Sequence, residues 1–162
     1  MITNYLSPIS FTVTIERLPN VEFFTQRTSI PGINNVPVER PSPIHRLYNT
    51  PDRVEFTELD LSFIVDEQMQ NYIEIFDWMV GMGSPDSTDQ FKDLEKSKYG
   101  LTSDITIIIH NSNRNPNIKV TYLDCFPTSL SPINLDVTGS DVVYPECSVS
   151  FRYNSFKIEK FS

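Results

Sequence analysis

Glycine is scarce in this chain. There are five in 162 residues, about 3% where soluble proteins average about 7%. Few places remain where bare backbone can cradle a phosphate, and neither a phosphate loop nor a Gly-x-Ser-x-Gly nucleophile turn is present. Histidine is scarcer still. His45 and His110 are alone, neither beside a serine or cysteine in a nucleophile context, and His-Glu-x-x-His is absent. The two cysteines, Cys125 and Cys147, each lie in a stretch that reads as strand, and with two distant histidines they show no metal-ligand spacing. They read as buried free thiols, with a disulfide as the other option. Apolar runs such as 107–109 are far too short to cross a bilayer, and residues 1–8 lack the basic-then-apolar pattern of a secretory signal. Positive charge is also short: 13 Lys and Arg stand against 21 Asp and Glu, a formal net charge of −8. That disfavours binding to nucleic acid, which needs clustered cations, but not an acidic wall past which nucleic acid moves without sticking. Glu58 and Asp60, the one carboxylate pair on a shared strand face, read as a solvated polar side. No catalytic set, metal or cofactor is expected.

What the chain does have is organised around residues 56–83, FTELDLSFIVDEQMQNYIEIFDWMVGMG. Leu59, Leu61, Phe63 and Val65 alternate with Asp60, Ser62 and Ile64, the period of a strand with one buried face. The period then changes. Met69, Tyr72, Ile73, Phe76, Met79 and Val80 fall on one helical stripe, which predicts a helix over 67–80 packing that stripe on the body. Asp66 is placed to cap it, Gly81 and Gly83 to end it in the left-handed conformation, and Pro85 to prevent restart.

Around this stretch the spacing predicts strands. Residues 10–17 alternate, Leu18-Pro19-Asn20 turns, and 21–30 returns as a hairpin strand. Pro31-Gly32 suits a type II turn, and Pro37 marks 33–39 as an edge strand. Residues 40–53 (RPSPIHRLYNTPDR) carry Pro41, Pro43 and Pro51, too many for a central strand, together with Ile44, Leu47 and Tyr48. This long loop is either an interaction arm or a segment whose apolar residues pack on the parent domain. A parity slip between Phe56 and Leu59 indicates a bulge or a change of face in a long strand over 54–65. Residues 84–100 read as a polar loop with one or two helical turns over 89–96. Residues 101–110 and 118–126 form a hairpin across an Asn-rich turn, 127–132 bends, 133–137 is short and extended, and 142–156 is the last strand. The expected fold is mostly β: an antiparallel barrel or sandwich of about eight strands with one flanking helix, in a single domain spanning 1–162.

In this order the segments resemble the tail tube proteins of T4-type contractile-tailed phages. The residues that carry the resemblance are FTVTIERLPNVEFFTQRTSIPGI, IPGINNVPV, the whole of 56–83 with its Asp66-Glu67 and Asp77-Trp78, FPTSLSPINLD and VSFRYNSF. The resemblance implies a structural virion protein of the tail, assembled in the host cytoplasm. Its subunits would form stacked hexameric rings inside a sheath, with baseplate or neck proteins at the ends and DNA passing through the lumen. It implies that 40–53 is the arm that touches the neighbouring ring. The alternatives are a minor tube-like ring at the baseplate or neck and, in another class, a monomeric β-sandwich binding module. Tyrosines are scattered and Trp78 is on the helix, so no aromatic platform supports the last.

Overall fold

The computed structural model describes residues 5–83 and 86–161. Strand β1 (Phe11–Ile15) turns Val13 and Ile15 inward. Its partner is not the segment that follows. Pro19 opens a short helix, α1 (Pro19–Phe24), because its fixed φ and missing N–H suit a first helical position. The Glu22 carboxylate accepts the Ile15 N–H at 3.0 Å and ties the helix back onto β1. The expected strand over 21–30 is therefore corrected: only β2 (Thr25–Thr28) is extended, and it pairs with β5 (Leu59–Ile64), not β1.

The main sheet runs β1-β6-β7-β8-β5-β2, with β6 at Ser103–His110, β7 at Pro116–Leu130 and β8 at Glu146–Arg152. A last strand, β9 (Ser155–Lys160), also pairs with β7, and every pairing is antiparallel. β7 turns the corner of the molecule: its first half bonds β6 and β9, its second half β8. Pro127 does not bend the chain out of the sheet, because it sits at a register shift between Pro127 and Ser129. The predicted last strand is two strands, broken at Tyr153-Asn154 and reaching Lys160. Residues 133–137 form no strand. Two further strands, β3 (Ile33–Arg40) and β4 (Leu47–Phe56), make a separate two-stranded sheet. Nine strands are described in all.

Helix α2 (Gln70–Gly83) starts three residues later than predicted. Met69 takes φ 56° and its N–H donates to the Asp66 carbonyl at 2.9 Å, so a turn precedes the helix, while the Asp66 carboxylate accepts the Asn71 N–H of the first helical turn at 3.3 Å. Gly81 and Gly83 lie inside the helix and neither has positive φ. A Cβ on Gly81 would stand 3.2 Å from the Leu94 side chain, so this glycine serves the close crossing of α3 (Thr88–Glu95). Pro85 lies outside the described residues.

The buried face of α2 also differs from the predicted one. Asn71, Ile75, Trp78 and Gly81 are buried, with Tyr72, Met79 and Met82 packed beside them. Met69, Ile73 and Phe76 are exposed, the last two by 45% and 50%. The helix is apolar on most of its circumference, and a hydrophobic stripe does not say which part meets the sheet. Trp78 settles it: its Nε1 donates to the Leu101 carbonyl at 2.9 Å, and Arg17 stacks 4.5 Å over its ring. Asn71 is the buried polar pin. Its Nδ2 donates to the Ile64 carbonyl at 2.8 Å and its Oδ1 accepts the Tyr72 N–H at 2.9 Å. Asn71→Ala is expected to strand these buried groups and cost about 1–3 kcal/mol, read as a lower urea midpoint at unchanged slope; an unchanged midpoint would show that the pin is dispensable.

Candidate assembly surfaces

β3 and β4 pair along their length, from Ile33 opposite Phe56 to Arg40 opposite Leu47. The segment expected as a loop over 40–53 is thus the outer half of a β-ribbon with its turn at 41–46. A proline-rich strand is tolerated here because Pro37 and Pro51 both fall in the register shift between the pairs Val36–Arg53 and Val38–Asn49, where no ladder bond is required. Pro41, Pro43, Ile44, Leu47, Tyr48 and Pro51 are all exposed, Ile44 by 89%. The root is firmly held. Gly32 N–H donates to the Thr57 hydroxyl at 2.8 Å, Thr57 N–H to the Gly32 carbonyl at 3.1 Å, and the Tyr153 hydroxyl to the Thr57 carbonyl at 2.7 Å. Gly32 does not take the positive φ that a type II turn needs, so Pro31-Gly32 leads into β3 without that turn. Phe56 plugs into a ring cluster with Tyr153 and Phe156, at centroid distances of 5.9 and 5.4 Å.

A second exposed surface, missed by the sequence reading, lies at the other end of β5. Val65 N–H donates to the Pro145 carbonyl at 2.9 Å and so fixes the end of the loop 131–146 there. The loop exposes Leu135, Val137, Val142, Val143 and Tyr144, with Val137 fully exposed. Asp136 accepts from the Thr138 N–H at 2.8 Å and hydroxyl at 2.6 Å, which holds its carboxyl below the usual range. The available signal was five large apolar residues among turn formers.

The third surface is the outer side of α1 and α2, where Phe23 on one helix and Ile73 and Phe76 on the other are exposed, Phe23 by 80%. Asn20 joins the two helices by donating to Glu74 at 2.5 Å. Edges remain as well: β1 and β2 end the sheet path, and Phe11, Thr28, Ile30 and Ile109 line a small groove of about 160 Å³ where they approach.

Among the described residues no cluster of His, Cys, Asp and Glu could hold a metal. Glu58 and Asp60 are not merely solvated: Arg152 binds Glu58 at 2.9 Å and the Ser150 hydroxyl donates to Asp60 at 2.6 Å. Cys125 and Cys147 are unpaired and buried, and burial pushes the Cys125 thiol up to about 12, where it is inert.

Comparison with known proteins places the chain in a family. A family described as phage tail tube protein matches residues 3–159. The chain belongs to that family. It is therefore related to virion tail components. It is 25% identical over 167 residues to the tail tube terminator protein of Enterobacteria phage T4, covering 98% of this chain and 92% of that protein. Among solved structures, a chain of the sheath–tube complex of the PVC extracellular contractile injection system superposes with a TM-score of 0.68 at 16% identity, covering 99% of this chain and 95% of that one. A chain from the sheath/tube terminator of that system gives 0.61 at 18% identity, with 98% and 99% covered. At such identities the likeness to the two structures is one of fold, and the fold is the mostly β, antiparallel one expected.

Glu74 carries a prediction. Desolvation by burial raises its pKa, outweighing the hydrogen bond from Asn20, and its Oε2 is buried without a partner. A raised folded-state pKa means stability that is present below the ordinary carboxyl pKa and is lost as pH rises through the raised value. Glu74→Gln is expected to be more stable than the parent at pH 7, with the difference vanishing near pH 4 in urea titrations. A variant less stable at pH 7 would show that the charge is used.

Proposed function

We propose that this protein is a structural subunit of the tail tube of a contractile phage tail, forming hexameric rings that stack with DNA passing through the lumen, and that it has no catalytic role. One observation carries the reading: in a tail tube family member, a ribbon hydrogen-bonded to the body at its root holds Pro41, Pro43, Ile44, Leu47, Tyr48 and Pro51 exposed to solvent. A neighbouring ring would cover them. Lateral closure of the ring gives the sheet edges partners. Six copies at −8 each give −48 formal charges per ring, a conduit that repels DNA more than it holds it. Sheath, baseplate or neck proteins are the remaining partners of this reading.

A second placement is favoured by the identity to the T4 tail tube terminator: one ring that caps the tube at the neck. Both placements are tested by light scattering and negative-stain imaging of the purified chain. The expected result is hexamer-sized rings. Rings that elongate into tubes, alone or on a baseplate-like seed, support the repeating subunit, and rings that bind a finished tube end but never elongate support the cap. A chain that stays monomeric at high concentration and in the presence of a seed would overturn the tube reading in favour of a monomeric binding module.

A further inference from the structure

We propose that the loop 131–146 is the seat for the ribbon tip of a second copy of this chain, so that one molecule carries both halves of the joint between rings. The proposal rests on the tube reading above.

Position comes first. The ribbon leaves the body at Phe56 and Thr57, just before β5 begins at Leu59. The loop ends where β5 ends, with Ile64 opposite Glu146 and Val65 bonded to Pro145. The six residues of β5 separate the two by roughly 20 Å. Copies stacked along that direction bring the ribbon of one toward the loop of the next.

Charge is complementary. The tip 40–46, RPSPIHR, contains Arg40, Arg46 and His45 and no acid, in a chain of net charge −8. The loop 131–146 contains Asp136, Asp141 and Glu146 and neither lysine nor arginine. The pairs these groups already make are open to solvent and weak: Arg46 stands 3.5 Å from Glu39, and Glu146 stands 3.7 Å from Arg27. Apolar surface matches too. Pro41, Pro43 and Ile44 project from the tip, while Asp136, Asp141, Val142 and Tyr144 border a recess of about 650 Å³ in the loop. Tip and seat are different surfaces, so the contact is head-to-tail and open-ended along the stack. A chain that only capped a tube would need one half.

The test uses two exposed positions, Ile44 and Val143, in the full chain. Cys125 and Cys147 are buried and do not compete. With Ile44→Cys and Val143→Cys together, oxidation of stacked rings is expected to give covalent ladders between copies, and neither single variant should give them. Arg40→Glu with Arg46→Glu is expected to abolish stacking while leaving single rings, and Asp136→Lys with Asp141→Lys should restore it. Stacked rings without ladders, or charge reversal that is not rescued, would overturn this joint and leave the tube reading standing. Single rings that never stack at high concentration would overturn it in favour of a capping ring. Failure of the parent chain to form rings at all, at high concentration and with a seed present, would overturn the tube reading itself.

Discussion

β7 bonds β6 and β9 through its first half and β8 through its second, and Asp124 stands at the switch with φ 56°. The Asp124 N–H donates to the Asp104 carboxylate at 3.1 Å, and its own carboxylate accepts from Asn154 at 2.9 Å. This left-handed, side-chain-braced step lets a strand of fifteen residues leave one layer and enter the other, with the Asp124 N–H satisfied by a side chain in place of the ladder. Everything else is registered against it. β8 hands the second layer on to β5, β5 leads into α2, and Val120, Tyr122 and Cys125 of β7 are all buried. Because β5 is fixed in this way, its two ends become fixed points on the molecule. The ribbon leaves from one and the loop 131–146 is tied to the other.

The ribbon obeys a different rule from the body. The body hides its alternate residues, whereas the ribbon exposes nearly all of its own. An isolated two-stranded hairpin is marginal in water. This one is held at its root, by the Gly32–Thr57 bonds and by Phe56 among Tyr153 and Phe156. Bracing at the root keeps these exposed apolar residues presented to solvent, the kind of surface that a partner covers in the proposed tube.

Alternation made the core strands legible: Leu59, Leu61 and Phe63, like Ile105, Ile107 and Ile109, are buried as their period requires. The hairpin β6–β7 was legible from its Asn-rich turn. Pairing was not, because the natural inference from 10–17 and 21–30 is a local hairpin, while β1 finds β6 across some ninety residues of chain. Propensity failed at Pro19–Phe24, where apolar residues that suit a strand close a helical turn instead. It failed again on α2. Ile73 and Phe76 look like core by composition, and only the placement of Trp78 and Asn71 shows that they face out. The apolar residues at 40–53 were recognisable as surplus to the domain; the ribbon that carries them was hidden by its prolines. The seat at 131–146 was overlooked because turn formers surround Leu135, Val137 and Tyr144.

The same balance of charges bears on how such a chain stays single before it assembles. A net −8 on each copy keeps free molecules apart despite their exposed apolar residues. The repulsion also opposes any assembly, and it grows with each added copy. Attraction must therefore be local and complementary at the contact itself. The tip 40–46 carries Arg40 and Arg46 with no acid, and 131–146 carries Asp136, Asp141 and Glu146 with no lysine or arginine. Long-range repulsion with short-range attraction favours contacts that join cationic to acidic surface over contacts that set like charges together. Direction then follows from charge placement: tip meeting tip sets arginine against arginine, loop meeting loop sets aspartate against aspartate, and only tip meeting loop is attractive. In the proposed stack, the polarity of the tube is written in the sequence of one subunit.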